Sequence, residues 1–160
     1  MRADPGRAEI VSVGASDWRA WRELRLEGLA DTPIGFGELH ADALTRTDED
    51  WQAVMDRPGF RVMAFDGGRP IGMAGGFRDV AGEPILFAVY VTPPARGNGV
   101  LESLVAAVRA WAAPDRLVLD VHEDNERAHR AYLRLGFMDT GERTSKGGID
   151  GRDLVRMRLP

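Results

Sequence analysis

One stretch constrains this chain more than any other: Val89-Tyr90-Val91-Thr92-Pro93-Pro94-Ala95-Arg96-Gly97-Asn98-Gly99-Val100-Leu101. An apolar, β-branched run stops at two prolines, passes through a glycine-rich turn and enters a helical pattern. That order reads strand, loop, helix. The first N–H groups of a helix have no intrahelical partner, and they sit at the positive end of the helix dipole. Such a turn is a ready site for an anion, above all phosphate. Gly97 and Gly99 allow the backbone to approach closely, because no Cβ stands in the way. Arg96 adds a charge-assisted donor beside them. Two known phosphate cradles are excluded. The dinucleotide fingerprint G-x-G-x-x-G fails at Glu102, where its third glycine belongs, and no Gly-Lys-Ser/Thr follows to make a P-loop.

Size and composition narrow the setting. A chain of 160 residues suits one domain with a single sizeable core, expected to span residues 1–160. There is no cysteine, which excludes disulfides, thiolate metal sites and a Cys nucleophile. The three histidines lack metal-ligand spacing, so no metal is expected. A net charge of −4 and a pI of about 5.4 show no nucleic-acid footprint. The longest apolar run, Ile85 to Val91, is far below the ~20 residues that cross a bilayer. The opening MRADPGRAEI lacks the apolar core of a secretory signal. The expectation is a cytoplasmic protein that engages neither membrane nor nucleic acid.

Periodicity sets the element order. Ile10, Val11 and Val13 read as a first strand, and Ser16 as the N-cap of a helix to about Ala30, with Trp18, Trp21, Leu24 and Leu29 at helical spacing. The breaker segment Asp31 to Gly37 separates it from a second helical region in two pieces, the later one capped by Thr47 and ended by Pro58-Gly59. The acidic run Asp48-Glu49-Asp50 is explained as charge at a helix N-terminus. Strands are predicted at Phe60 to Phe65, Ile71 to Val80 and Pro84 to Thr92, with turns at Asp66-Gly67-Gly68 and Ala81-Gly82-Glu83. An amphipathic helix over Gly99 to Ala113, a strand over Arg116 to His122 and a helix over Asn125 to Leu135 follow, with Gly136 as its C-cap glycine. Phe137 to Thr144 and Arg152 to Leu159 form a last hairpin over a loop containing Gly147-Gly148.

A second motif lies in residues 117–137, LVLDVHEDNERAHRAYLRLGF. It is similar to the pattern N-x-x-A-x-x-x-Y-x-x-x-G-F after a strand in the GNAT family of acetyltransferases, with Asn125, Ala128, Tyr132, Gly136 and Phe137 at the matching spacing. The turn beginning at Arg96 resembles that family's acyl-coenzyme A signature Arg-x-x-Gly-x-Gly/Ala. It departs at the last position, which holds Leu101. The order βααβββαβαββ also resembles the family fold, an α/β (α+β) arrangement: a mixed, mostly antiparallel sheet of six to seven strands with helices on both faces.

The resemblance implies that acetyl-CoA enters between central strands that splay apart. It implies a bulge between Leu86 and Val91 that frees the amides of Val89 and Val91, flanking Tyr90, for the pantetheine arm. The N–H groups of Gly97, Asn98, Gly99, Val100 and Leu101 would hold the pyrophosphate, and Leu101 is expected to point into the core beneath its helix. Asn125 would cap its helix, contact the arm, or do both. Tyr132, about two turns beyond Asn125 on the same face, is either core packing or the acid that protonates the departing thiolate. An amine acceptor needs a base. Alternation puts Asp120 and His122 on one strand face, and Asp120 stands where family members that acetylate N-termini often hold a catalytic Glu. Asp is shorter by a methylene, which favours a water relay. His122 and Glu83 are the alternatives, and Asp120 has a second reading as an ion-pair partner of Arg116 or Arg130. Trp18, Trp21, Arg22, Arg25, His40 and the loop Thr32 to Gly37, with Phe36, fall in the region that shapes the acceptor pocket in the family. The two tryptophans read more readily as core. The expected function is transfer of acetyl to a primary amine of a small molecule by direct attack, with acetylation of a protein N-terminus or lysine, or non-catalytic acyl-CoA binding, as the alternatives. Family habit adds the expectation of a homodimer.

Overall fold

The computed structural model describes residues 8–33, 38–145 and 153–160. The loop positions Ile34 to Gly37, including Phe36, the Gly147-Gly148 loop and Arg152 lie outside the described residues. The elements are β1 (Ala8–Ser12), α1 (Trp18–Asp31), α2 (His40–Leu44), α3 (Asp48–Asp56), β2 (Phe60–Asp66), β3 (Arg69–Arg78), β4 (Pro84–Val91), α4 (Val100–Ala112), β5 (Val118–His122), α5 (Glu126–Arg134), β6 (Met138–Thr144) and β7 (Leu154–Arg158). Short 3₁₀ turns precede α1, at Ala15–Asp17, and follow β4, at Pro93–Ala95.

The strands form one seven-stranded sheet in the order β1-β2-β3-β4-β5-β7-β6. Each neighbouring pair is antiparallel except β4 with β5. Two cores flank the sheet. Leu104, Val105 and Val108 of α4 pack with Val62, Ala74, Leu86, Leu119 and Phe137 on one face, and Tyr132 of α5 joins them. On the other face Trp18, Trp21, Leu24 and Leu29 of α1 meet Trp51 and Met55 of α3 over Met63, Met73, Ala88 and Tyr90. Both tryptophans of α1 are therefore core, 6% and 2% exposed, and not walls of an acceptor pocket.

Local chemistry explains the helix starts. Thr47 caps α3 reciprocally: its hydroxyl accepts from Asp50 N–H at 3.2 Å, and the Asp50 carboxylate accepts from Thr47 N–H at 2.9 Å. At α1 the N-cap position is Asp17 rather than the expected Ser16, and its side chain makes no capping bond to the helix; its carboxylate accepts from Gly14 N–H at 2.9 Å and so closes the preceding 3₁₀ turn. Ser16 lies inside the 3₁₀ turn that leads into the helix.

The glycines of β3 let the layers close. A Cβ on Gly76 would stand 2.6 Å from the Trp111 ring and 2.9 Å from a methyl of Val108, so α4 lies directly on bare backbone. The Trp111 ring is itself stacked on Phe60 at 6.2 Å and cannot swing away freely. Gly76→Ala is accordingly expected to destabilise the fold by about 1–3 kcal/mol through overpacking. Urea denaturation measures this, and a stability equal to the wild type would show that α4 has slack.

Candidate active site

Four residues decide where the site lies. β4 pairs with β5 only at Ile85↔Val118 and Leu86↔Leu119. Beyond them β4 stays with β3 as far as Gly72↔Val91, and β5 stays with β7 as far as His122↔Leu154. The two central strands therefore part in mid-sheet. A bulge accompanies the parting. The β3–β4 register steps from Gly75↔Phe87 to Met73↔Tyr90, so β4 carries one residue more than β3 across that interval. Ala88 takes up the excess with φ +54°, a left-handed conformation uncommon for alanine. The bulge also changes which face each side chain meets: Phe87, Ala88 and Tyr90 turn toward α1, while Leu86, Val89 and Val91 turn toward α4.

The parting opens a cleft of about 380 Å³. Val89, Tyr90, Val91, Arg96, Gly97, Leu101, Asp120, Asn125 and Tyr132 all line it, so the structure brings most of the expected site together. Asn98, Gly99 and Val100 are not in the lining. Val100 is buried against the core, and Gly99 is the N-cap of α4. Gly97 and Gly99 adopt φ +79° and +81°, which only glycine adopts without strain. The helical ladder begins with Ser103 N–H donating to the Gly99 carbonyl at 3.1 Å. The amides of Val100, Leu101 and Glu102 therefore precede the ladder, at the end of the helix that attracts anions. Leu101 is half-buried. It packs against the α4 core, as expected, and the residue also borders the cleft.

The side chain of Arg96 is engaged otherwise than expected. Its Nε donates to the Val91 carbonyl at 3.0 Å and its Nη2 to Asp31 Oδ2 at 2.8 Å, with the guanidinium over the Tyr90 ring. The arginine ties the end of β4 to the end of α1. Tyr90 itself is buried, which pushes its phenol up to about 12.

On the β5 side, α5 is capped at both ends. Asn125 Oδ1 accepts from Ala128 N–H at 3.3 Å, which caps the start and leaves the carboxamide Nδ2 as a donor. At the far end Phe137 N–H donates to the Tyr132 carbonyl and Gly136 N–H to that of Leu133, both at 3.0 Å, with Gly136 at φ +97°. This is a Schellman motif, and its customary apolar contact is the edge-on pair Tyr132–Phe137 at 5.7 Å. Tyr132 is thus fixed by the helix stop itself. Burial pushes its phenol well above the ordinary tyrosine value.

Of the three expected base candidates, only Asp120 lines the cleft. Its carboxylate is gripped by neither Arg116 nor Arg130. Arg156, directly opposite in the β5–β7 register, holds it through Nε–Oδ1 at 3.0 Å and Nη2–Oδ2 at 3.1 Å. Glu83 lies outside the cleft and accepts from Arg156 and Arg158 at 3.3 and 2.8 Å, so Arg158, Glu83, Arg156 and Asp120 form a chain that ends in the cleft. His122 is buried, with Nδ1 accepting from Asp124 N–H at 3.1 Å, and borders a separate depression beside His129 and Asp139. Thr32, the first residue of the loop expected at the acceptor pocket, also lines the cleft, as do Arg127, Ala131 and Arg134, which were not singled out in the sequence. Helical spacing from Ala128 would have found Ala131. Among the described residues no His/Cys/Asp/Glu group could hold a metal, and no helix is long and apolar enough to cross a membrane.

A parted pair of central strands, a glycine turn at a helix start and a doubly capped α5 meet at this one cleft. The chain belongs to the acetyltransferase (GNAT) family, whose sequence profile matches residues 18–137. It is 35% identical over 134 residues to a mycothiol acetyltransferase of Salinispora arenicola, a match that covers 76% of this chain but 41% of that relative. Its fold resembles that of a GCN5-related N-acetyltransferase from Kribbella flavida, with a TM-score of 0.76 at 20% identity, covering 98% of this chain and 99% of that one. It also resembles PaiA N-acetyltransferase of Thermoplasma acidophilum in complex with coenzyme A, with a TM-score of 0.66 at 17% identity over 95% and 98% of the two chains.

Asn125→Asp separates the observed cap from the expected contact with a cofactor arm. The substitution keeps the capping acceptor and removes the Nδ2 donor, so the unfolding temperature should hold while coenzyme A binding weakens about tenfold. Calorimetric titration together with thermal unfolding checks both. Unchanged affinity would confine Asn125 to capping.

Proposed function

We propose that this protein is an N-acetyltransferase that passes acetyl from acetyl-CoA directly to a primary amine of a small molecule. The observation that carries the reading is the cleft itself, with the free edge of β4 on one side and the phenol of Tyr132 on the other. The lining suits such a ligand. Past Leu86 the edge of β4 has no β5 partner, so an amide-bearing arm can add to it as a short strand. Ala128 and Ala131 present little bulk along α5, and the α4 start offers amides for a diphosphate. When bound, acetyl-CoA would supply an activated thioester.

The chain's own residues divide the remaining work. The amides of Val89 and Val91 align the arm, and those from Gly97 to Leu101 hold the diphosphate. Tyr132 stays protonated throughout the neutral range, because burial raises its phenol above an ordinary value of ~10. A thiol, at an ordinary ~8.5, is the stronger acid, so the phenol stabilises the departing sulfur chiefly by the hydrogen bond it donates. Asp120 accepts the amine proton through a water, and the fork of Arg156 fixes where its carboxylate points. Without cysteine no acyl-enzyme on a thiol can form, which favours direct attack. The small-molecule acceptor class is supported by the likeness to mycothiol acetyltransferase.

Thiol release from acetyl-CoA in the presence of amino acids, polyamines, amino sugars and aminoglycosides tests the activity, and release with none of them would favour a binding module. With an acceptor in hand, Tyr132→Phe should lower kcat by about 10- to 100-fold while coenzyme A affinity stays within about twofold. An unchanged kcat would remove Tyr132 from the chemistry.

A further inference from the structure

At the mouth of the cleft two arginines face one carboxylate. Arg96, just after β4, donates to Asp31 Oδ2 at 2.8 Å. Arg127, in the first turn of α5, has Nη2 3.6 Å from the same oxygen and donates to Thr32 Oγ1 at 3.0 Å. The Thr32 hydroxyl donates in turn to Asp31 Oδ2 at 2.8 Å. Thr32, Arg96 and Arg127 all line the cleft, so this cluster joins its β4 side to its β5 side.

Asp31 is badly placed for helix stability. It is the last residue of α1, where the helix dipole is negative and a carboxylate is disfavoured. What compensates it is the arginine pair. The hydrogen bond from Arg96 leads the effects that hold its carboxyl below the ordinary aspartate range, so it is ionised at neutral pH. A carboxylate on two guanidiniums is also what a phosphate group would look like there: a compact anion bridging the same donors. The turn that leads to the unladdered amides at the start of α4 begins at Gly97, the residue after Arg96.

We propose that Asp31 competes with the phosphates of the bound cofactor for Arg96 and Arg127 and thereby sets how tightly the cleft holds phosphorylated ligands. This rests on the reading of the cleft as an acetyl-CoA site. The exchange falls mainly on Arg127, whose side chain is 57% exposed and whose contact with Asp31 is the longer one. Arg96 is held in place by its second bond to the Val91 carbonyl. Whether a diphosphate displaces Asp31 or binds beside it, the carboxylate lowers affinity by occupying cations or by like-charge repulsion.

The test is calorimetric titration of the full chain with coenzyme A at low and high salt, for the wild type, Asp31→Asn and Asp31→Ser. Removing a carboxylate from a helix C-terminus does not threaten folding, and thermal unfolding without ligand verifies this. Both variants should bind coenzyme A about 3- to 10-fold more tightly at low salt, with the gain shrinking at high salt. Unchanged or weaker binding in folded variants would overturn the proposal and make Asp31 a strut for Arg96. Failure of the wild type to bind coenzyme A would instead overturn the cofactor reading, and the proposal with it.

Discussion

The structure depends on a break in pairing where a sheet can least easily lose it. Central strands normally satisfy their backbone groups on both sides, and a buried, unpaired N–H or C=O is costly. Here β4 and β5 share only two residue pairs, and from Phe87 onward the β5-facing edge of β4 has no strand beside it. The fold supports this with compensations on every side. The bulge at Ala88 lets β4 bend while β3 keeps its pairing, β7 keeps β5 in register to His122, and Arg96 fastens the last carbonyl of β4. Two separate cores, one under α4 and one under α1, hold the halves of the sheet from opposite faces. The break is thus a cleft with a rigid frame.

The second motif has a physical reading that needs no ligand. Its Asn is the N-cap of α5, and its Tyr, Gly and Phe are the C3, C′ and C″ positions of a Schellman stop. The spacing between them is therefore fixed by helix geometry. A helix so defined at both ends presents Tyr132 at one height above the parted strands, and the contact with Phe137 sets its ring. The sequence leaves packing and chemistry as alternatives for Tyr132. In the structure the ring packs while the residue still lines the cleft.

Legibility divides along the range of the interaction. The strand–turn–helix at Val89 to Leu101, the α3 capping box and the α5 helix are set by residues within a few positions of one another, and each can be read from the chain. Alternation along β5 puts Leu119 and Val121 in the α4 core and leaves Asp120 out of it, although Val121 also borders the cleft. It could not show that Arg156, on a strand 36 residues away, grips Asp120. Nor could it show that His122, on the same strand face, would border a different depression. The bulge at Ala88 is implied by the family resemblance alone, because a bulge made with alanine carries no glycine signal. Arg96 is the clearest case. Its sequence neighbours suggested a phosphate donor, but a carbonyl five residues back and a carboxylate at the end of α1 claimed its guanidinium. Leu101, the one departure from the family signature, keeps its backbone in the first turn of α4 while the residue borders both core and cleft.

On the proposed function, the unpaired edge of β4 is the surface on which the cofactor arm lies. Residue-resolved amide hydrogen exchange, followed by NMR with and without coenzyme A, examines that edge directly. The amides of Val89 and Val91 should become strongly protected when coenzyme A binds, together with those of Gly99 to Leu101. Protection confined to the α4 start, with Val89 and Val91 exchanging as before, would contradict the account.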